Sequence, residues 1–595
     1  MLTLADLLTE KVKQAATRLW PEIKLPPFDI VEPPSTEFGD LSTALPLTLA
    51  KLTSEKPTTI AKQLKSAINV SDIEHIKEIT VTEPGYLNFK IDYIALGSHL
   101  ITKIIGQGSE YGTFREDLGN ASIEHTSVNP NKAAHVGHLR NACLGDTLAR
   151  ILSASGYRVE VQNYIDDLGL QVADSVVAWE TLGKAPKNTP IDKWLWRIYA
   201  EINTKYKDQP KLLERRQQIL GEMEQGTNQT AKDIVAGIVT AQLKTFAKFD
   251  INYDLLVYEH DIVENHLWEN LFEELKRKKL IINPKDGPNA GAWIVKFGET
   301  DREDKILVKS NGLLTYTAKD LAYALWKFGK LPEMPTYEKR LQPLALHVNV
   351  IDNRQTYPQE VIKHVMQQLG FESESEHYQH LAYGVVKLSD KAMKVLGHKV
   401  EAGSTHSMSG RTGVGVMVDD LLNLAIKKQI AEHQTEPETA QAIATGSIRY
   451  YMLHNRPEKD IIFDFDEALK NDGNTGVYLQ YAYARCCNIL NKVPDWRPQT
   501  ERLTVPELTP ETTAVIKLLE SYPMHIKTAA EELDPSLLTD FAFELANRFA
   551  SFYEKNPVLK ADEEVKNFRL HLIVSVKQIL ENTLKLLGIP ALTKI

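Results

Sequence analysis

Between Ala121 and Ile165 the chain changes its hydrophobic period twice, and that change limits what it can fold into. An extended run over Ser122–Val128 gives way, after a Pro/Asn turn, to a helix from about Gly137 to Ser155. The apolar stripe of that helix is Leu139, Cys143, Leu144, Leu148, Ile151 and Leu152, Gly156 caps its C-terminus, and a second extended run follows over Arg158–Ile165. A helix of this length between two strands is too long for a hairpin. The strands therefore lie parallel in a sheet of the nucleotide-binding type, with helices against its faces. The alternation resumes at Leu344–Ile351, a helix over Tyr357–Leu369 and a strand over Tyr383–Leu388. A charged, mostly helical stretch from about 190 to 250 reads as an insertion that splits the sheet in sequence.

A chain of 595 residues exceeds one hydrophobic core. Leu4, Leu7, Leu8, Val12, Ala15 and Leu19 recur at helical spacing, and a second helical stretch over Leu41–Leu52 follows a Pro-rich break from Pro21 to Pro34. The segment Ile79–Ile91, interrupted at Pro84-Gly85, alternates like a hairpin, so the N-terminal part reads as a small α+β module with a linker around Gly106–Gly112. Beyond about 420 long amphipathic helices take over: Asp419–Glu432, Glu438–Leu453, Asp466–Lys470 onward through Gln480–Asn491, and Phe568–Leu587. The expected division is residues 1–110, 111–430 and 431–595, the last a helical bundle.

Composition excludes several classes. At 43% hydrophobic and 25% charged the chain is globular, not disordered or fibrous. No run reaches the roughly 18 apolar residues of a membrane span. Asp6, Glu10, Lys11, Lys13 and Arg18 deny the N-terminus the uncharged stretch of a signal peptide. Cys143, Cys486 and Cys487 are too few and badly spaced for a disulfide framework or a four-thiolate zinc site, so a reducing compartment and no protein-bound zinc are expected. A net charge of −10 argues against nonspecific nucleic-acid coating but allows RNA on local basic patches.

The first crossover carries the chemistry. His135-Val136-Gly137-His138 places two imidazoles on one face of a helix's first turn. A helix N-terminus offers free N–H donors and a positive dipole end, histidines add donors to phosphate oxygens, and Gly137 removes a side chain that would block an adenine ring. The physics points to ATP. Taken alone, these four residues also fit a pair of solvent-facing histidines, and the surrounding sequence decides between the two.

The stretch Ile123-Glu-His-Thr-Ser-Val-Asn-Pro-Asn-Lys-Ala-Ala-His-Val-Gly-His-Leu-Arg-Asn141 resembles the signature of arginyl-tRNA synthetases, class I enzymes with a Rossmann-type catalytic domain. The resemblance extends over nearly the whole chain. Glu37-Phe-Gly-Asp40 and Gly85-Tyr-Leu-Asn-Phe89 look like the family's tRNA-elbow module, and Tyr478-Leu-Gln-Tyr-Ala-Tyr-Ala-Arg485 looks like its anticodon-binding domain. Class I enzymes also carry a mobile loop of type K-M-S-K-S whose cations stabilise the transferring phosphates. Lys387-Leu-Ser-Asp-Lys391 puts Asp390 where a second cation is wanted and is set aside. Ser407-Met408-Ser409-Gly410-Arg411, followed by Thr412-Gly-Val-Gly415, resembles the family's M-S-G-R form. Met408 and Ser409 are then expected at the nucleotide and Arg411 at the phosphates. Ser407 stands where many synthetases have lysine, and Lys132, three residues before His135, is expected to supply the missing charge.

By the same resemblance Glu124, Asn129, Tyr316, Asp320 and Gln355 match the family's arginine-contacting positions, with Glu259 a further guanidinium partner. Such a pocket must offer carboxylates to a planar guanidinium, because a buried unpaired ion is prohibitive. Pro358 lies where the family often has a histidine. Tyr481 and Arg485, four apart on one helix, are the expected anticodon contacts, whereas Tyr478 reads as core and Lys276-Arg-Lys-Lys279 as a solvated helix end. The resemblance implies an arginine–tRNA ligase that uses ATP with Mg2+ to form arginyl-adenylate and pyrophosphate. It then transfers arginine to the 2′-hydroxyl of the terminal adenosine of tRNA(Arg). A cytoplasmic monomer that needs its tRNA bound before activation is implied too. Ser407 and Pro358 motivate the alternative, a non-catalytic tRNA-binding paralogue.

Overall fold

A computed structural model describes residues 4–69, 73–297, 304–395, 406–407, 416–470, 472–501, 503–506 and 508–595. At its centre lies a five-stranded, all-parallel sheet in the order Tyr378–Tyr383, Leu344–Asp352, Asn120–Glu124, Arg158–Ile165, Leu255–Tyr258. The chain first winds outward from Asn120–Glu124 in one direction and later from Leu344–Asp352 in the other. The order therefore reverses between these two neighbours, which opens the crevice where doubly wound sheets hold their ligands. Every residue of Asn120–Glu124 is buried, as a central parallel strand covered on both faces requires.

The first crossover is the helix Val136–Ala154, within a residue or two of the expected span and buried on nearly all sides. It is enclosed because the C-terminal helices pack on the face turned away from the sheet. Two fully buried arginines make that junction. Arg140 donates to the carbonyls of Gly384 and Lys459 at 2.5 and 2.6 Å, and Arg449 donates to Asp146 at 2.5 Å and to the carbonyls of Phe249 and Leu587 at 2.7 and 2.9 Å. Apart from the Thr147 hydroxyl, 3.2 Å from Arg449, the partners are a carboxylate and backbone carbonyls, which is what a desolvated guanidinium needs.

Four expectations are corrected. Leu41–Thr43 is a strand, not helix: it pairs antiparallel with Tyr86–Ile91, Leu41 opposite Phe89, and the helix starts at Leu45 with Pro46 in its first turn. Tertiary pairing overrides the local period here. The sheet strand near 380 is Tyr378–Tyr383, and Val386–Leu388 belongs to a second small sheet beside Ile461–Phe463, so strands persist beyond 420. Gly384 permits the change of sheet, because a Cβ there would stand 2.5 Å from the Lys459 carbonyl carbon. The helical insertion begins earlier than 190, at Leu170–Leu182, and continues through Ile191–Lys205, Pro210–Glu224 and Gln229–Ala247. The expected linker near 106–112 opens on the last two residues of a helix, Tyr93–Gln107, and continues as a 3-10 turn, Gly108–Glu110; Leu96, Leu100, Ile101 and Ile104 of that helix bury against Pro510–Glu531 and Glu563–Leu587. The hairpin is present as Ile76–Thr82 and Tyr86–Ile91, and no helix among the described residues is long and apolar enough to cross a membrane.

Candidate active site

His135 is the N-cap of the helix Val136–Ala154, and the cap is reciprocal. Its Nδ1 accepts the Gly137 N–H at 3.1 Å, while His138 Nδ1 accepts the His135 N–H at 3.2 Å. Both Nδ1 atoms are thus acceptors, so each neutral ring carries its proton on Nε2, the atom left over for an incoming acceptor. The rings stack with centroids 3.5 Å apart. Gly137 gives them room: a Cβ there would approach the His135 ring to 3.0 Å. Burial, with the Lys132 charge second, pulls the His135 pKa down to about 3, and burial and His135 lower that of His138 as well. The motif is therefore a pair of neutral donors at a positive helix end.

Lys132 is buried, with Nζ 3.2 Å from Asn131 Oδ1, 3.4 Å from Gln171 Oε1 and 5.3 Å from the centre of the Tyr199 ring. It is not a solvated loop lysine. The turn before it holds Thr126 and Ser127 at φ of 74° and 39°, a left-handed backbone that L-residues adopt only when held. Two asparagines hold it: Asn141 Oδ1 accepts the Thr126 N–H at 2.5 Å and Asn163 Oδ1 accepts the Ser127 N–H at 3.0 Å.

Met408, Ser409 and Arg411 lie outside the described residues. The described residues on either side of them are placed. His406–Ser407 pairs antiparallel with Lys387–Leu388. On the return, Val136 N–H donates to Val416 O at 3.1 Å and Val418 N–H to Ala134 O at 3.0 Å, bracketing a bridge between Met417 and His135. The segment Val416–Val418 is therefore stitched to the histidine segment itself. Lys387, in the segment that was set aside, pairs with Asp460 at 2.9 Å.

The other end of the crevice is densely charged. Glu124 ends the central strand and is ion-paired with Lys327, itself fully buried and 3.2 Å from His347 Nε2. Glu259, fully buried, opens the helix Glu259–Glu264, accepts the Tyr164 hydroxyl at 3.0 Å and pairs with Lys319. Asp320 lies among them, its pKa raised to about 7 by burial first and by Glu124 and Glu259 next. Tyr316, four residues before Asp320, is the first residue of the helix Tyr316–Lys327 and is exposed. Gln355, exposed, closes the turn Asn353–Gln355 that follows Leu344–Asp352, and Pro358 sits in the first turn of Thr356–Leu369, where its missing N–H costs nothing. Asn129 is half-buried, its carbonyl accepting the Asn131 N–H at 2.8 Å. Glu124, Glu259 and Asp320 are thus brought into mutual electrostatic reach. Gln355 is placed beside them only by its position after the neighbouring strand.

Two family models cover the regions just described: "tRNA synthetases class I (R), catalytic domain" matches residues 100–465 and "Arginyl tRNA synthetase N terminal domain" residues 4–91. The chain belongs to the arginyl-tRNA synthetase family. It is 34% identical to an arginine–tRNA ligase of Pyrococcus furiosus over 94% of this chain and 95% of that one, and 32% identical to one of Thermus thermophilus over 98% of each. A solved Thermus thermophilus arginyl-tRNA synthetase superposes over 100% of both chains with a TM-score of 0.84 at 31% identity. A third model, "DALR anticodon binding domain", matches residues 479–595.

That last region contains Tyr481 and Arg485, one turn apart on the helix Gly476–Leu490 and both exposed. The Arg485 guanidinium lies 6.0 Å from the Tyr553 ring centre. Tyr478, by contrast, is held inward by its hydroxyl on Asn547 Oδ1 at 3.0 Å. The basic run is the largely exposed helix end expected: Lys276 pairs with Glu273, Arg277 with Glu274, and Lys278 donates to the Leu369 carbonyl at 2.6 Å. Three residues of the charged end escaped the sequence reading: Lys319, Lys327 and Asp166. The readable signal for Lys327 was a lysine inside the otherwise apolar run Leu321–Phe328, a position where only an internal partner makes a cation tolerable.

Proposed function

We infer that the chain is an arginine–tRNA ligase. The observation that carries this reading is the pairing of two unlike subsites along one crevice. Neutral histidine donors sit on a helix N-terminus at one end and a surplus of carboxylates at the other, which suits a polyphosphate and a guanidinium respectively. The arginine carboxylate attacks the α-phosphate of ATP in line, and pyrophosphate leaves. The 2′-hydroxyl of the terminal adenosine of tRNA(Arg) then attacks the carbonyl of the arginyl-adenylate, and AMP leaves. No side chain of the site acts as a nucleophile. His135 and His138 offer Nε2–H to the phosphates, Lys132 and Arg411 offset the charge that grows during transfer, and Met408 and Ser409 line the nucleotide beside Gly137. Mg2+ enters as the counterion of ATP, screening the phosphates that His135, His138 and Lys132 bind.

At the other end Glu259 and Asp320 face the guanidinium, with Tyr316 over it. Glu124, Asn129 and Gln355 face the α-amino and α-carboxylate end, and Glu124 does so through its bond to Lys327. Tyr481 and Arg485 stack on unpaired anticodon bases. Residues 1–110, 111–430 and 431–595 serve the tRNA elbow, the chemistry and the anticodon, in a cytoplasmic monomer. The test is arginine-dependent exchange of pyrophosphate into ATP, with and without cognate tRNA. Exchange that requires tRNA supports the reading. No exchange in either case leaves a tRNA-binding paralogue, and exchange with another amino acid reassigns the pocket.

A further inference from the structure

Strands Arg158–Ile165 and Leu255–Tyr258 run in parallel, with Ile165 opposite Tyr258. The next residues, Asp166 and Glu259, therefore leave the sheet side by side at the crevice, about one strand spacing apart. The Asp166 carboxylate lies within hydrogen-bonding reach of Glu259, and its Oδ1 is enclosed with no donor among the described residues. Gly169 makes this fold-back possible, because a Cβ there would stand 2.8 Å from both Asp166 oxygens.

Among the described residues, Tyr164 and Asp167 face Asp166 from its own strand and turn, Glu259 from the adjoining helix and Lys319 from Tyr316–Lys327; Asp320, on that same helix, shares Tyr164 and Glu259 with it as neighbours. Asp167 is engaged elsewhere, accepting the His260 N–H at 3.1 Å and lying 2.5 Å from its Nδ1. Glu124 is ion-paired with Lys327, and both lie within electrostatic reach of Asp320. Among the described residues four carboxylates, Asp166, Glu259, Asp320 and Glu124, thus face two lysines, Lys319 bound to Glu259 and Lys327 bound to Glu124. An enclosed crevice does not hold two uncompensated negative charges, and two carboxyls this close share a proton instead.

We propose that Asp166 is a further carboxylate of the arginine subsite, sharing with Glu259 a proton that the incoming guanidinium displaces, so that arginine binds with release of a proton to solvent. This rests on the arginine reading of the site. Chemically, the carboxyl O–H of the Asp166–Glu259 pair is lost, and its oxygen accepts an N–H of the guanidinium, whose planar fork of donors can span two adjacent carboxylates where the Lys319 ammonium serves one. Burial first and Glu259 second hold Asp166 well above the usual carboxylate range. The sign follows: at low pH arginine must expel the proton to bind, and as pH rises past the raised Asp166 value the proton is already gone and affinity climbs.

The experiment is calorimetric titration of the full chain with L-arginine in buffers of different ionisation enthalpy, repeated from pH 5.5 to 8. The wild type is expected to release protons, with affinity rising toward about tenfold per pH unit for one displaced proton. Citrulline, the neutral isostere, is expected to release none. D166N should bind arginine about ten- to a hundredfold more weakly, the cost of one hydrogen bond to a charged group, with a flatter pH profile and less proton release. Wild-type binding without proton release overturns the proposal, whether or not D166N folds, and so does a D166N protein that matches the wild type in release and affinity. Failure of the wild type to bind arginine at any pH sinks the arginine reading itself.

Discussion

The two ends of the crevice solve opposite problems by opposite means. At the phosphate end the ligand would bring the charge, and the protein supplies neutral imidazoles, a helix N-terminus and one buried lysine, Lys132. Nothing there has to be neutralised before the ligand arrives. At the proposed guanidinium end the protein supplies the charge in advance and offsets it with Lys319, Lys327 and the raised pKa of Asp320. The first arrangement is local, built within one helix turn. The second must be assembled from three strand ends and a helix, because side chains of one segment cannot surround a planar cation.

The sharpest way to break this contrast is to remove one charge from the second end. Glu259→Gln strands Lys319 and deletes a guanidinium partner in a fully buried position. Loss of such a partner costs on the order of 3–5 kcal/mol, so kcat/KM for arginine in the exchange assay should fall about a hundredfold to several thousandfold while KM for ATP stays put. An unchanged KM for arginine would remove Glu259 from the pocket. The mirror experiment is His138→Ala. One preorganised donor is lost, so turnover should fall about a hundredfold with arginine affinity unmoved. If activation stays normal in this variant, the histidines are merely caps.

The same contrast governs what the sequence reveals. The phosphate end was legible because its parts are contiguous: His135, Gly137, His138 and Lys132 span seven residues, and period 2 gives way to period 3.6 just there. Of the charged end, Glu124, Glu259 and Asp320 were reached through family resemblance. Lys319, Lys327 and Asp166 were not, since their partnerships join residues 60, 203 and 93 positions apart and no local period encodes them. The fold errors have the same origin. Leu41–Thr43 became a strand because residues 87–89 offered it a partner, and the strand near 380 ended early because Gly384 lies against the backbone at Lys459.

A third region serves as the control for both ends. Tyr481→Ala removes an exposed ring from the helix Gly476–Leu490 and leaves the crevice untouched. One stacked base is worth about 1–3 kcal/mol, so KM for tRNA should rise about tenfold while tRNA-saturated exchange keeps its rate. A loss of exchange at saturating tRNA would mean that the anticodon domain acts on the chemistry and not only on binding.

The smallest expected effect is the most diagnostic of the neutral-donor reading. With His135 held at about 3 by burial and by Lys132, neither it nor His138, lowered further by its neighbour, changes charge between pH 6 and 8. KM for ATP should then vary less than about twofold over that range once magnesium is saturating, while KM for arginine falls as pH rises. The same depression has a cost that appears elsewhere. A histidine kept neutral in the fold binds its proton more readily in the unfolded chain. Stability is therefore unaffected above the ordinary value of 6.5 and declines as pH drops below it, until the folded value is reached. His125, fully buried with a folded value of about 4, alone contributes a loss approaching ~1.4 kcal/mol per pH unit in that window. A melting temperature that falls between pH 6.5 and 4.5, beside a KM for ATP that does not move between pH 8 and 6, would separate neutral donors from imidazolium ions. A KM for ATP that improves as pH falls through 6.5 would show charged histidines at the phosphates and erase the difference between the two ends.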